Sequence, residues 1–574
     1  DVCSSDLGGF FMKKRKKFVI FAWIISIWMI ISSALVLYHV FNLQMLPMQI
    51  LSMVSIIVLL IVVILLLLLH FVSKKTISRV FSSILVCLFS VVMVIGNLYL
   101  IRTNDFISSV SEQKEKVKHT VSVYALKDSK VKKLEKLDNK TVGILKKIDS
   151  VSTQKSLKDI KKQNVTIKQK MYDSVQAMVK GLYDKEVDAI ILNTSYVSNV
   201  TDIEEYKDFR DKTKVVYKTV YYTKDQTDAL AVSDITTHPF TIEISGNDAY
   251  GDLEEDSRSD VNMLVTVNPN TSTVLLTSIP RDYYIQYACE DNECPVGELD
   301  KLTHTGMSGV DTTRDTLSQM LGVDINYIAR INFDGAKNIV DALGGVDVNV
   351  DKGLSVDEFY TNPAYGVHEG VNHLDGAGAL AFARERYAYE DGDKQRVRNQ
   401  QIVLEALVKK AISTDAVKNY TKLLDAMKGC FQTNISDDEI KSFIKFQLQA
   451  NPSWKFEHYV LDGYGDQLYC AASGQDASVL VPDQRTIDIA SQKIKAVLNG
   501  QSSDTVSDEL TGEQTIPDYM ANAVSVGMKD DTSEDTSAYQ DPSVYQDTGS
   551  YADESAYDGS SYDSMDYYDP EQYY

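Results

Sequence analysis

Residues 261–282 read VNMLVTVNPNTSTVLLTSIPRD. Two β-like runs, VNMLVTVN and TVLLTSIP, flank the turn-rich NPNTS, so the stretch is a hairpin. Pro280 stops the second run and leaves Arg281 and Asp282 at its C-terminal mouth, a common place for ligands in α/β domains. Downstream the pattern alternates. DTTRDTLSQML is an amphipathic helix stopped by Gly322, and INYIARIN is a strand with Tyr327, Ala329 and Ile331 on one face. DGAKNIVDALGG is a helix with Gly344 at its C-cap, and VDVNV is a further strand. Strands alternating with helices predict a layered α/β domain.

The stretch 375–412, DGAGALAFARERYAYEDGDKQRVRNQQIVLEALVKKAI, contains the chemistry. Asp393 is a suitable N-cap for a helix running to about Ile412. Its apolar stripe is Val403, Leu404, Leu407, Val408 and Ala411. Extended backwards in steps of three and four, the stripe reaches Gln400, Val397 and Arg396, so Arg396 and Gln400 face inward. A guanidinium there needs an acid partner or an anionic ligand. Arg398 points elsewhere. If AFARERY is extended, Phe382, Arg384 and Arg386 share one face. Arg384, Arg386 and Arg396 could then grip a pyrophosphate, or form a structural ion-pair network with Glu385, Glu390 and Asp391. Asp248 and Asp260 flank the first strand of the hairpin, with Arg258 two residues before Asp260. Paired carboxylates beside a phosphate site suit Mg²⁺, although solvated loop aspartates look the same in sequence. There is no Ser-His-Asp or HExxH pattern.

Upstream lie three apolar runs, 18–41, 50–72 and 80–101, each long enough to cross a bilayer. KKRKK and Lys74, Lys75 and Arg79 place the N-terminus and the second link in the cytoplasm, and everything after Arg102 outside. Met12 is the expected start, residues 1–11 being read as an upstream extension. The expected divisions are membrane helices at 12–101, a stalk at 102–118 and a small Lys-rich α/β domain at 119–235. A second α/β domain follows at 240–500, then an acidic, Tyr- and Ser-rich disordered tail at 501–574. The small domain's KTVGIL and VDAIILN runs resemble a lobe of a solute-binding protein, and it is read as a spacer or docking domain. The chain's net charge is −22; residues 501–574 contribute −17, from eighteen acids and one lysine, leaving −5 for the rest. That near-neutral balance gives no basis for nucleic acid as a partner. Cys289 with Cys294, and Cys430 with Cys470, are expected as two disulfides of an oxidising compartment.

The ordered set SGNDAYG, SRSDVNMLVTVNPNT, LLTSIPRD, DKLTHTG, INFDGAKNIVDALGGVDVNV, HLDGAGALAFARER and DGDKQRVRNQQ closely resembles the LytR-CpsA-Psr family over about residues 240–412. The resemblance implies a mostly antiparallel central sheet packed by helices, with an apolar pocket for a prenyl chain. It implies an enzyme of Gram-positive envelopes that moves a glycopolymer from a polyprenyl-pyrophosphate carrier to peptidoglycan. It assigns Asp248 and Asp260 to Mg²⁺, with Mn²⁺ as the alternative. It assigns Arg258, Arg281, Arg384, Arg386, Arg396 and Gln400 to the pyrophosphate, and Asp282 to a supporting position. The rival readings are a non-catalytic lipid-binding or regulatory protein and a pyrophosphatase acting on the same lipid. Two features depart from many members: three membrane helices instead of one, and the YAYEDGD insertion after Arg386. With the expected topology, protease added to intact protoplasts digests the chain after Arg102; full protection of that region would overturn the orientation.

Overall fold

The computed structural model describes residues 3–73, 75–111, 116–224, 230–247, 253, 257–290, 294–412 and 420–520. Asp248 and the acidic tail beyond 520 lie outside the described residues. Three helices come first: α1 (Cys3–Leu43), α2 (Met48–Leu67) and α3 (Thr76–Ser111). Each contains a stretch long and apolar enough to cross a membrane. Small and polar side chains line their contacts; Asn97 Nδ2 donates to Ser32 O at 3.1 Å.

The small domain is a five-stranded sheet. Its strands are β1 (Lys116–Leu126), β2 (Thr141–Leu145), β3 (Lys168–Tyr172), β4 (Ala189–Asn193) and β5 (Thr213–Lys224), in the order β3-β2-β4-β1-β5. β2 runs parallel to β3 and β4, through crossovers that carry α4 (Ser150–Lys162) and α5 (Val175–Tyr183). Ser174 caps α5 by accepting from Ala177 N. A short helix, α6 (Val197–Thr201), follows β4.

The large domain is built on a six-stranded mixed sheet in the order β14-β11-β6-β7-β8-β15. The hairpin is β7 (Val261–Asn268) and β8 (Thr273–Ile279), beside β6 (Phe240–Asn247). β9 (Tyr284–Gln286) and β10 (Leu299–Lys301) form a side ribbon, and α7 (Val310–Leu321) leads into β11 (Tyr327–Asn332). Next come α8 (Phe333–Ala342), the ribbon β12 (Val346–Val350) and β13 (Gly370–Leu374), α9 (Gly376–Arg384) and α10 (Asp393–Ala411). α11 (Tyr420–Met427), β14 (Phe431–Thr433), α12 (Asp437–Ala450) and β15 (Lys455–Val460) complete the sheet. The ribbon β16 (Gly463–Cys470) and β17 (Gln475–Pro482) and helix α13 (Gln484–Leu498) close the domain.

Period-two alternation gives the sheet two apolar faces. Phe240, Met263, Val265 and Leu276 pack with Leu404 of α10 and Phe443 of α12. Leu264, Leu275 and Ile279 pack with Leu317 of α7 and Ile487 and Ile494 of α13. A sheet covered on both faces explains why VNMLVTVN and TVLLTSI are apolar almost throughout.

Several expectations change. Residues 102–111 continue α3, and Ser108 Oγ donates to Asp437 Oδ2 of α12 at 3.0 Å. Residues 501–520 pack on the large domain: Met520 is fully buried and Lys493 Nζ donates to Ser503 O at 3.1 Å. The apolar Ile516, Tyr519 and Met520 anchor this strap beside β16 and β17. Of the two expected disulfides, Cys289–Cys294 is formed. Cys430 and Cys470 do not bridge: Cys430 precedes β14 at one edge of the sheet, whereas Cys470 is a buried thiol at the end of β16, held up by burial.

Glu243, central in β6, is completely buried and neither carboxylate oxygen has a hydrogen-bond partner. Burial pushes it up to about 8, against the attraction of Arg314. A raised acid pKa means the folded state keeps a proton that the unfolded chain loses above about 4.5. Stability contributed by the neutral group is therefore full below that value and is lost progressively as pH rises towards 8. Glu243→Gln should flatten this dependence, raising Tm more at pH 8 than at pH 5; equal effects at both would refute it.

Candidate functional site

The site starts with the register of the hairpin. Asn262 pairs with Ile279, and the ladder continued two residues sets Asp260 opposite Arg281. Arg281 Nη1 donates to Asp260 Oδ1 at 3.0 Å. Thr303 ties both strand ends together: Ser259 N donates to its carbonyl and Thr303 N donates to Arg281 O, each at 2.9 Å. Arg281 also faces Asp282 at 3.7 Å, and Asp282 accepts from Lys301 Nζ at 3.1 Å. Burial opposes charge on Arg281, but Asp282, Asp260 and Asp393 outweigh it and raise its pKa. Burial likewise opposes charge on Asp282, and Lys301 and Arg281 overcome it, holding its carboxyl below the usual range.

α10 supplies the second wall. Its N-cap is Gly392, with φ 51°, so Asp393 is the first helical residue and not the cap expected from sequence. Freed from capping, Asp393 pairs with Arg396 one turn on. Arg396 is 8% exposed. Burial, then the neighbouring Arg281 and Arg386, pull its pKa down, while Asp393 and Asp282 pull it up. Gln401 anchors the helix to the sheet, donating to Leu276 O, Ser278 Oγ and Tyr459 O at 3.2, 2.9 and 2.9 Å. Arg396, half-buried Gln400 and Leu404 follow one another at i, i+4 and i+8 along α10. The stripe thus runs about 12 Å from the arginines onto the apolar face of the sheet.

AFARERY is not extended. Phe382 and Arg384 end the helix α9, and two residues along a helix turn about 200°, so Phe382 is buried and Arg384 exposed. Arg384 lies over the Phe333 ring at 5.1 Å and Arg386 over Tyr387 at 4.5 Å. The ion-pair network with Glu385, Glu390 and Asp391 does not form. Buried Glu385 accepts instead from Thr361 N, Arg386 N and Ala388 N at 3.1, 2.9 and 3.1 Å. Asp391 takes Arg398 at 2.6 Å. Among the described residues no carboxylate pairs with Arg384 or Arg386.

The structure therefore brings together Asp260, Arg281, Arg386 and Arg396, with Gln400 below them. Arg258 is drawn off to Asp202, at the end of α6 in the small domain. The sequence reading gave no site role to Lys301, Asp393 or Asp202; Lys301 stands in the DKLTHTG motif, which was the available signal. Polar atoms are left over at the centre. Arg281 Nε, Arg396 Nε and Asp260 Oδ2 are buried without a hydrogen bond. A ligand of opposite character would satisfy them. Two open N–H groups suit an anion, and a bare carboxylate oxygen suits a hard cation. Asp260 thus fits an Mg²⁺ site completed by phosphate oxygens. No group of three or more metal-ligating side chains occurs among the described residues.

Fold and site define an α/β domain that follows three helices long and apolar enough to cross a membrane and that gathers arginines around a buried carboxylate. The comparisons give its family. Residues 194–473 match the LytR_cpsA_psr family. The polyisoprenyl-teichoic acid–peptidoglycan teichoic acid transferase TagU of Bacillus mycoides is 34% identical over 237 residues, 41% of this chain and 72% of that protein. The TagU of Enterococcus faecalis is 33% identical over 233 residues, 40% of this chain and 73% of that protein. The crystal structure of B. subtilis TagT aligns over 47% of this chain and 96% of that one, at 26% identity and a TM-score of 0.36. The chain belongs to the LytR-CpsA-Psr family.

The two central arginines differ in what the fold does to their charge. Arg281→Met leaves Asp260 and Asp282 without their partner. It should cost about 2 kcal/mol of ligand-free stability, less than a fully buried pair because Arg281 is 32% exposed. Arg396→Met removes a charge that burial disfavours but leaves Asp393 without its partner, so the two effects oppose each other and any loss of ligand-free Tm should be clearly smaller than in Arg281→Met. Thermal melts of both variants check this; a large loss in Arg396→Met would make that residue a structural cation.

Proposed function

We propose that this protein transfers a glycopolymer from a polyprenyl-pyrophosphate carrier to peptidoglycan, outside the membrane of a Gram-positive cell. The observation that carries the reading is the set of buried atoms without a hydrogen bond at the hairpin end and on α10: Arg281 Nε, which faces only Asp282 at 3.7 Å, Arg396 Nε and Asp260 Oδ2. A pyrophosphate offers acceptors for both guanidinium groups, and charge-assisted forks of this kind are the strong ones. The family resemblance supplies the prenyl-chain site, and the apolar layer reached along Gln400 and Leu404, packed here by Phe240, Met263 and Leu276, is where that chain would have to enter. The names of the TagU relatives support a teichoic acid or a similar polymer as cargo.

In the proposed reaction a hydroxyl oxygen of peptidoglycan attacks the phosphorus bonded to the sugar. The P–O bond to the second phosphate breaks and polyprenyl phosphate leaves. Arg281, Arg386 and Arg396 stabilise the negative charge that develops on the phosphoryl oxygens, with Arg384 and Arg258 at the rim. The hydroxyl proton passes to a basic oxygen at Asp260, either its carboxylate or a hydroxide held beside it. Mg²⁺ would be held by Asp260, with Asp248 assigned beside it by the family resemblance, and would supply further charge neutralisation. Three membrane crossings with a cytoplasmic N-terminus put this site on the side where the acceptor is found.

The test is a transfer assay with a defined lipid-pyrophosphate glycan and a peptidoglycan acceptor, with and without Mg²⁺. Arg386→Ala and Arg396→Ala should each lower transfer by about ten- to a hundredfold, the value of one charge-assisted contact of about 1.5–3 kcal/mol. Release of free glycan phosphate without linkage to the acceptor would make the protein a pyrophosphatase. Lipid binding without either product would make it a non-catalytic lipid-binding protein.

A further inference from the structure

The small domain docks on the large one through the edge formed by the C-terminal ends of its parallel strands, where α/β domains usually take ligands. Ser195 Oγ, just after β4, donates to Met307 O at 3.3 Å. Lys147, just after β2, pairs with Glu298 at 2.9 Å. Met307, Ala471 and Ala472 of the large domain are buried in the apolar cluster of Leu145, Ile148 and Val197. At Gly474, φ is +75° and an added Cβ would lie 1.8 Å from Ser174 Cβ, so only glycine allows this approach. The edge is thus committed to holding the large domain, beside the strand end that carries Arg258.

Arg258 is the point of contact with the site. Its backbone is fixed on all sides. Ser259 N donates to Thr303 O and Asp260 N to Gly246 O, at 2.9 and 2.7 Å. Ser259 Oγ bonds Ser245 Oγ at 2.7 Å, and Gly306 sits so close that a Cβ there would lie 2.4 Å from Ser257 O. The backbone beside Arg258 is thus held, and its guanidinium is on Asp202. The Arg258 and Asp202 side chains are 22% and 54% exposed, so the pair is at an open rim where ion pairs are weak and exchangeable. The charges acting on Arg281 and on Arg396 are Asp282, Asp260, Asp393 and one another, with Arg386; Arg258 is not among the principal ones.

We propose that Asp202 is a positioning residue that competes with the donor pyrophosphate for Arg258, so that the small domain sets donor affinity. This rests on the reading that Arg258 contacts the pyrophosphate. Without donor, Asp202 holds the Arg258 charge away from the other guanidinium groups. With donor, Arg258 leaves Asp202 for the phosphate oxygens, which carry more charge than one carboxylate. A small domain that shifted Asp202 would change donor affinity while leaving the reacting groups untouched.

The test is calorimetric titration of the detergent-solubilised full-length protein with farnesyl pyrophosphate in the presence of Mg²⁺. Asp202→Asn should tighten binding about two- to fivefold, the scale of an exposed ion pair. Asp202→Ala should do the same, and Lys147→Ala, at the other interdomain pair, should leave Kd unchanged. Arg258→Ala should weaken binding, and Asp202→Asn added to it should have no further effect. If Arg258→Ala weakens binding while the Asp202 variants leave it unchanged or weaken it, the competition is wrong and the role of Arg258 stands. If Arg258→Ala binds as wild type, both are wrong. A tightening in Lys147→Ala equal to that in Asp202→Asn would reduce Asp202 to interface loosening and overturn the proposal.

Discussion

The site depends on the register of one hairpin. The pairing of Asn262 with Ile279 is what sets Asp260 across from Arg281, each two residues beyond the last pair of the ladder. A slip by one residue would turn every side chain to the opposite face. Val265 and Leu276 would leave the layer under α10, and Leu264 and Leu275 the layer under α7. Both faces are covered, so neither slip has a compensating surface. Core packing on two sides therefore fixes the position of a charge pair at the strand ends. Thr303 and Lys301 then fix the charges themselves, by joining the strand ends and holding Asp282.

Around that pair the fold distributes charge unevenly. Arg281 has three carboxylates about it and is stabilised as a cation. Arg396, deeper and facing two other guanidinium groups, is not. One arginine thus belongs to the folded framework and the other is kept charged against the preference of its surroundings. Such an arrangement is unfavourable in an empty protein and favourable around a polyanion, because the ligand supplies the missing acceptors. Electrostatic preorganisation of this kind requires no movement at the moment of reaction. Gln401 makes it possible: three hydrogen bonds to the sheet hold α10 in place despite the repulsion at its first turns.

The hairpin, the helices around it and the inward face of Arg396 were legible because each rests on a local period or turn signal. The same local reasoning fails at AFARERY, where an arginine at every second position imitates the period of a strand. DGAGALA in front of it is a capped helix start, with Asp375 accepting from Gly378 N, and the helix simply continues through Arg384. The missing second disulfide and the packed strap 501–520 failed for a different reason. Both are set by distances between segments far apart in sequence, which periodicity does not carry. Asp202 was invisible for the same reason: it is an ordinary acid at the end of a short helix until the small domain docks.

The attachment of the large domain to α3 gives the site a defined relation to the lipid it is proposed to use. The third helix long and apolar enough to cross a membrane, α3, runs unbroken to Ser111, and Ser108 is bonded to the first turn of α12. α12 also presents Phe443 to the sheet face on which Leu404 of α10 lies. A continuous path of contacts therefore leads from α3 through α12 to the apolar layer, and from there along α10 to Arg396. A flexible stalk would let the domain drift, and each approach to a membrane-held donor would carry an entropic cost. A helix that packs directly on the domain removes most of that freedom. The constraint also explains why a polar stretch after the third span stays helical: its amphipathic outer turns have a protein surface to pack against, with Thr103 and Ile107 buried.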